Sequence, residues 1–138
     1  MRAGPLLAVV GTLLLGGCGG SSSSPNPMPI PQNAFTGTLS VTTGLPAGTT
    51  ACVATHLVVF TAAGASPHLV TAAGGDCVTF RNDDVANHQV AAMGTDPCLQ
   101  LGAPGLLAPG SSVSTAPLTG PKSCPWEDLL NPPGSAGY

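Results

Sequence analysis

Val78-Thr79-Phe80-Arg81-Asn82-Asp83-Asp84 carries the clearest structural pattern in this chain, and His88 follows it closely. Val78 and Phe80 fall on one face of an extended backbone, while the residues between them fall on the other. The Asn-Asp-Asp run favours a turn, because these side chains bond to nearby backbone amides. Residues 76–82 are therefore predicted to form a strand with one buried face that ends in a polar turn.

Other short strands are predicted earlier in the chain. Alternation around Leu39 and Val41 predicts a strand over residues 36–42, and the run Leu57-Val58-Val59-Phe60 predicts another over residues 56–62. Turn signals rich in Gly and Pro separate the strands, and the density of Gly, Pro, Ser and Thr disfavours helices. The pattern predicts an all-β protein, a small Greek-key β-sandwich.

Two downstream motifs extend the first one. They read Leu107-Ala108-Pro109-Gly110-Ser111-Ser112 and Ser123-Cys124-Pro125-Trp126-Glu127-Asp128-Leu129-Leu130-Asn131-Pro132-Pro133. With the Val78 to His88 segment and in the same order, they resemble three parts of bacterial cupredoxin-like domains: the strand and loop of the first histidine ligand, a Leu-Ala-Pro-Gly-x-Ser turn, and a Tyr-His-Asp-His-Leu-Asn-Pro loop. The resemblance covers residues 56–133 and implies a cupredoxin-like sandwich.

The resemblance also implies that most copper ligands are missing. Alignment on Leu130-Asn131-Pro132 removes both loop histidines and places Glu127 at one of them. The thiolate position of electron-transferring relatives falls on Asp128, and their second histidine position falls on Asn131, so only His88 remains. Type 1 copper needs two imidazoles and a thiolate. The resemblance thus implies a degenerate site, and no cofactor is expected.

A metal-binding alternative stays open. His88, Glu127 and Asp128 supply one nitrogen and two carboxylates, a set that could hold copper(II) or zinc if the loops converge. Under this alternative the protein binds copper or transfers electrons through unconventional ligands. Otherwise Glu127 and Asp128 are solvated charges and His88 caps a loop. Trp126 is expected to pack over this site.

Catalysis and nucleic-acid binding are not expected. The sequence has no Gly-x-Ser-x-Gly elbow, no His-Glu-x-x-His motif and no phosphate-binding glycine loop. Loss of Arg2 with a signal peptide would change the net charge from −3 to −4, leaving Arg81 and Lys122 as the only strong bases. Such a chain cannot assemble the basic stripe that phosphate binding requires.

The first residues predict export and lipid anchoring. Arg2 precedes an apolar run over residues 6–15, which is shorter than the roughly 20 residues of a permanent membrane span. The run ends in Leu15-Gly16-Gly17-Cys18, which resembles a bacterial lipobox. Residues 1–17 are therefore predicted to be a lipoprotein signal peptide, with Cys18 acylated in the membrane at the periplasmic or cell-surface side of the envelope.

Residues 18–34 are predicted to be a tether. They are rich in Gly and Ser and then carry alternate prolines from Pro25 to Pro31, a composition that favours an extended spacer without a core. One domain is predicted over residues 35–138. Because the chain stops soon after the Asn-Pro loop, the last strand of a cupredoxin-like fold is expected to be short or missing.

Four cysteines remain in the domain once Cys18 is acylated. An even number in an exported chain predicts two disulfides, and the sequence allows three pairings. Cys98 with Cys124 is favoured, since the resemblance puts both near the metal-site end, and Cys52 with Cys77 would then pin the N-terminal part to a core strand. Together these features predict an envelope lipoprotein whose cupredoxin-like domain has lost type 1 copper. It would act as a binding or structural module for an envelope protein.

Overall fold

The computed structural model describes residues 34–94, 98, 101 and 105–133. This part of the chain forms eight strands and is all-β. The strands are β1 (Thr36–Val41), β2 (Thr55–Thr61), β3 (Gly64–Ser66), β4 (Leu69–Ala72), β5 (Cys77–Asn82), β6 (Val90–Ala92), β7 (Ser112–Ser114) and β8 (Lys122–Asp128). The three strands predicted from the sequence correspond to β1, β2 and β5, within one residue at each end.

The strands form two mixed four-stranded sheets. One has the order β4-β1-β8-β6 and the other has the order β3-β2-β5-β7. In the first sheet β1 pairs parallel with β4 and antiparallel with β8. In the second, β2 pairs parallel with β5 and antiparallel with β3. The all-β sandwich expected from the sequence is confirmed at this level.

The core between the sheets is built around three aromatic rings. Phe60 and Phe80 come from the second sheet and Trp126 comes from β8, and their ring centroids lie 5.6–6.3 Å apart. Each of these side chains is at most 1% exposed. Trp126 therefore packs inside the sandwich, and the expectation that it covers the site end was wrong.

The segment that resembles a ligand loop is mostly a strand. Residues 122–128 form β8, which lies in the interior of its sheet between β1 and β6. Alternation along β8 turns Cys124, Trp126 and Asp128 inward, and only the residues after Asp128 leave the sheet. The sequence pattern indicated a loop at 125–128 because proline and acidic residues are unusual in a central strand.

Two disulfides cross-link the domain, and their pairings are the ones favoured from the sequence. Cys52 is bonded to Cys77, and Cys98 is bonded to Cys124. The reason given for the second pairing does not hold, however. Cys124 precedes Asp128 by four residues along β8, about 13 Å at the usual rise of a strand, so this bridge lies away from the Asp128 end.

Some expectations fall outside the described residues. The signal peptide, Cys18 and nearly all of the tether lie there, as does any strand after residue 133. In the part of the chain that is described, no helix is long and apolar enough to cross a membrane.

One end of the sandwich gathers the segments that matter for function. β2, β5 and β8 end there and β1 begins there, as the pairing of Thr36 with Glu127 shows. The loops over residues 83–89, 105–111 and 129–133 meet at the same place through backbone hydrogen bonds. This region is named the His88 end. The opposite end carries the Cys52–Cys77 disulfide.

Candidate functional site

Asn82 organises the loop that leads to His88. Its side chain is completely buried at the end of β5. The amide nitrogen donates to the carbonyl oxygens of Ala86, at 2.7 Å, and Leu107, at 2.9 Å, and the amide oxygen accepts from the backbone of Asp84 at 2.8 Å. The Asn-Asp-Asp turn predicted from the sequence is therefore held by the first Asn, and this turn delivers His88 to the interior.

His88 is fixed at both its backbone and its ring. Its backbone exchanges two hydrogen bonds with Leu107, of 3.1 and 2.8 Å. Its ring is completely buried and packs against the rings of Phe35 and Phe60, with centroid distances of 5.3 and 4.7 Å. The aromatic surroundings leave the two ring nitrogens as the only places where the side chain can make polar contacts.

Asp128 is the main polar partner of His88. Its Oδ2 lies 2.6 Å from Nδ1 of His88, and its Oδ1 accepts from the backbone nitrogens of Gln89, at 2.7 Å, and Leu130, at 3.1 Å. Burial opposes ionisation of Asp128, but the hydrogen bonds from His88 and the neighbouring amides hold its pKa below the usual value. An ionised carboxylate only accepts, so Nδ1 of His88 carries a proton and donates it.

Asn131 completes this cluster. Its side-chain nitrogen donates to Oδ2 of Asp128 at 2.6 Å and lies 3.4 Å from Nδ1 of His88. The positions that the resemblance assigned to the first histidine, the thiolate and the second histidine are thus occupied by three residues in mutual contact. We refer to His88, Asp128 and Asn131 as the His88 cluster.

Asp84 approaches the other side of the imidazole. Its Oδ2 lies 3.3 Å from Nε2 of His88, and its side chain is 9% exposed. The two atoms are not aligned as a hydrogen bond, and Nε2 is buried without a hydrogen-bond partner. His88 therefore has a carboxylate near each ring nitrogen. Asp84 was not predicted to be a site residue, and its spacing of four residues from His88 is the only sequence signal of this contact.

Glu127 does not join the cluster. It lies next to Asp128 on β8, so its side chain points to the opposite face of the sheet and is partly exposed. Of the three residues expected as a metal set, the structure brings together only His88 and Asp128. Within residues 34–94, 98, 101 and 105–133, no group of three or more His, Cys, Asp or Glu side chains is arranged to hold a metal ion.

The residues of the His88 cluster do not fit type 1 copper. Nδ1 of His88 donates to Asp128, so copper would have to bind at Nε2, where the only nearby ionisable side chain of the described residues is the carboxylate of Asp84. Type 1 copper would also need a soft sulfur ligand, but Cys98 and Cys124 are bonded to each other. An imidazole, a carboxylate and an amide in direct contact are suited to a closed hydrogen-bond network.

The other two histidines lie apart from His88. His56 Nε2 lies 3.0 Å from Oδ2 of Asp76, near the opposite end of the sandwich. The hydrogen bond from His56, followed by one from the backbone of Ala73, holds the pKa of Asp76 below its usual value. His68 is exposed, and its Nδ1 lies 2.7 Å from the carbonyl oxygen of Thr36. Neither forms a site with His88.

A shallow groove of about 780 Å³ lies on the outer face of the first sheet. Thr36, Thr38, Leu69, Met93 and Pro125 contribute to its walls. None of the residues that line it belongs to the His88 cluster, so the groove and the cluster are separate features.

Comparison with protein-family models, with curated protein sequences and with solved structures gives no match to this chain. We therefore infer the function from the geometry of the His88 cluster and from the chain's own motifs.

Proposed function

We propose that this protein is a lipid-anchored protein of the bacterial cell envelope. Its cupredoxin-like domain has a hydrogen-bonded cluster in place of type 1 copper and serves as a binding or structural module. The observation that carries the proposal is the direct contact among His88, Asp128 and Asn131. These are the three positions at which the sequence motifs place one retained copper ligand and two lost ones.

The cluster has the properties of a structural substitute for a metal. Asp128 receives hydrogen bonds from His88, from Asn131 and from two backbone amides. These buried hydrogen bonds to one carboxylate restrain the segments that carry the donors. The cluster holds the loop before β6 against the end of β8. A bound metal has the same effect when its ligands come from separate loops.

Export is supported by two independent features. The Leu15-Gly16-Gly17-Cys18 motif follows an apolar run. The two disulfides are of the kind that persists in oxidising compartments outside the cytosol. The envelope is therefore the proposed location, and a protein of the envelope is the proposed class of partner for the module.

One observation favours a second candidate, a protein that binds copper through unconventional ligands. The Nε2 atom of His88 is buried without a hydrogen-bond partner, and Asp84 Oδ2 lies 3.3 Å away. A metal on this side would use His88 and Asp84 and would not involve Glu127. Only two ligands are in place among the described residues, so the first proposal has the stronger geometric support.

Restoring the lost ligands tests the proposal. In the variant Asp128→Cys/Asn131→His, a cupredoxin-like frame should bind one equivalent of copper(II) and show an intense thiolate-to-copper absorption band. The wild-type mature chain should show neither in calorimetry with parallel metal analysis. The matched control is Glu127→Cys/Asn131→His, in which the thiol lies on the other face of β8 and no such band should appear.

The outcomes separate the candidates. Absence of copper from the restored variant, with the fold intact by circular dichroism, would contradict the cupredoxin-like frame. Submicromolar binding of one equivalent by the wild type, lost in both His88→Ala and Asp84→Asn, would instead establish the copper-binding alternative.

A further inference from the structure

The His88 end exposes several large apolar side chains. Val85 is 92% exposed, Leu106 is 61% exposed, and Leu129 and Leu130 are each 48% exposed. They come from the three loops that surround His88. Asn82 holds the first loop, the pairing of Leu107 with His88 holds the second, and the bond from Leu129 to the Gln89 carbonyl holds the third. These side chains are therefore presented to the outside by an ordered framework.

The chain enters the domain at this same end. The carbonyl oxygen of Phe35 accepts a 3.0 Å hydrogen bond from the backbone of Asp128, and the ring of Phe35 packs on His88. Ala34, the first described residue, is bonded through its carbonyl oxygen to Ala65 at 2.7 Å. The segment upstream of Ala34 therefore joins the domain beside the exposed apolar residues, and not at the end with the Cys52–Cys77 disulfide.

We propose that the His88 end rests on the lipid surface in which Cys18 is anchored, with Val85, Leu106, Leu129 and Leu130 inserted into the interface. This inference rests on the proposed lipid anchoring. Fifteen residues separate Cys18 from Ala34, so Ala34 stays within about 58 Å of the anchor even if they are fully extended. Such tethering gives an effective concentration in the millimolar range, and weak intrinsic affinity then suffices for contact.

The charges around this surface select the kind of lipid. Arg81 is paired with Asp83 through two hydrogen bonds of 2.9 and 2.8 Å. Asp84 lies beside His88, Asp128 is buried, and Glu127 is partly exposed. No basic residue of the described loops is left to attract anionic headgroups. The contact is therefore apolar and suits a zwitterionic surface, whereas anionic lipids should weaken it.

Site-directed spin labelling of the acylated full-length mature chain tests the inference. The four domain cysteines form disulfides, so a single introduced thiol can be labelled. Labels at Val85→Cys and Leu106→Cys are compared with labels at Val53→Cys and Leu45→Cys, which replace residues that are 71% and 39% exposed near the end with the Cys52–Cys77 disulfide. On phosphatidylcholine vesicles, the first two labels should be more accessible to oxygen than to a water-soluble nickel complex. The two control labels should show the reverse.

Flotation of the vesicles separates this inference from the anchoring on which it rests. If the chain floats and the Cys18→Ala variant does not, the anchor is present. Water-accessible labels at Val85 and Leu106 would then overturn the lipid contact alone. Labels immobilised in native envelope membranes but water-accessible on pure vesicles would assign the surface to a protein and also overturn it. Failure of the wild-type chain to float would overturn both proposals.

A double variant provides a second readout. Val85→Asp/Leu106→Asp changes only exposed positions, so the fold should be retained and the chain should still float through Cys18. A label at Leu129→Cys should move from the lipid interface into water in this variant. An unchanged depth for that label would contradict the proposed surface.

Discussion

Nδ1 of His88 donates to Oδ2 of Asp128 at 2.6 Å, although 40 residues separate the two in the sequence. Both side chains are completely buried. The contact joins the loop after β5 to the end of β8, and so links the two sheets at the His88 end. Because each partner would be a buried, unpaired polar group without the other, the pair should matter more for stability than any exposed ion pair of this protein.

Replacement of Asp128 by Ala should be strongly destabilising. It removes the acceptor of His88, of Asn131 and of the Gln89 and Leu130 amides. A buried donor left without its acceptor typically lowers the free energy of unfolding by about 1–3 kcal/mol, and this variant leaves more than one such donor. Urea denaturation with the disulfides intact measures the change.

The control for this prediction is the neighbouring residue. Glu127→Ala alters a partly exposed side chain on the other face of β8 and should change the free energy of unfolding by only about 0.5 kcal/mol. Similar losses in the two variants would mean that the His88 cluster contributes little to stability.

Stability should fall in acid because of Asp128 and Asp76. The folded state lowers the pKa of both carboxyls below the ordinary value of 3.8. A lowered pKa contributes stability that is fully present above the unfolded value and is lost as the pH falls through the folded one. The free energy of unfolding should therefore decrease below about pH 4 on their account. Urea titrations at a series of pH values measure this slope.

The double variant Asp76→Asn/Asp128→Asn identifies the source of the slope. It should be less stable than the wild type at neutral pH, and the difference between the two should shrink as the solution is acidified. A difference that does not depend on pH would show that other groups cause the acid sensitivity.

The sequence predicted the strands better than it predicted the site. Alternating apolar residues identified β1 and β5, and the apolar run Leu57-Val58-Val59-Phe60 identified β2, because the buried faces of strands leave these patterns in the sequence. The His88 cluster could be predicted from the sequence only in part. The motif alignment put Asp128 and Asn131 at lost ligand positions, but it could not indicate that they would bond to His88 and to each other. Those contacts depend on how loops 40 residues apart meet.

β8 and Glu127 show where local pattern fails. Pro125, Glu127 and Asp128 favour a loop by composition, yet the residues on either side of Trp126 are extended by pairing with β1 and β6. Tertiary pairing overrides weak strand propensity when a large side chain such as Trp126 gains a place in the core. Once this segment is a strand, Glu127 must face away from Asp128, which removes it from the expected metal set.

Gly37 should not tolerate a side chain. A Cβ at this position would overlap the indole ring of Trp126 and crowd the carbonyl oxygen of His68. Gly37→Ala should lower the free energy of unfolding by about 1–3 kcal/mol, since the core has no room to adjust. Gly44→Ala is the control, because a Cβ there meets only the Gly120 carbonyl oxygen, at an ordinary 3.7 Å. Equal denaturation midpoints for the two variants would contradict this account of the core.

The two disulfides allow the contribution of chain entropy to stability to be compared with that of packing. They span 25 and 26 residues, so the entropic contribution should be nearly the same, about 3–4 kcal/mol each. Cys98, Cys124 and Cys77 are buried, whereas Cys52 is exposed. The pair Cys98→Ala/Cys124→Ala should therefore be the more destabilising double variant. Thermal unfolding compares the stabilities of the two double variants. A larger loss of stability for Cys52→Ala/Cys77→Ala would mean that burial of the cysteines does not determine how much each disulfide stabilises the protein.

Replacement of Asn82 should loosen the loop that carries His88. Asn82→Asp replaces a donor to two carbonyl oxygens with further oxygen, and the unpaired groups should lower the free energy of unfolding by about 2–4 kcal/mol. The local effect is the sharper test. Hydrogen exchange of the amides at residues 84–88 should become faster, because the side chain that closes this loop is gone.

Thr79→Ala is the matched control for Asn82 because Thr79 lies on the same strand and also makes a side-chain hydrogen bond. Its hydroxyl bonds to Ser114 at 2.6 Å in an exposed place, where water can replace the lost partner. This variant should leave exchange at residues 84–88 unchanged and should alter stability by only about 0.5 kcal/mol. If Asn82→Asp also left that exchange unchanged, the position of His88 would have to be set by the His88 cluster alone, and not by the turn after β5.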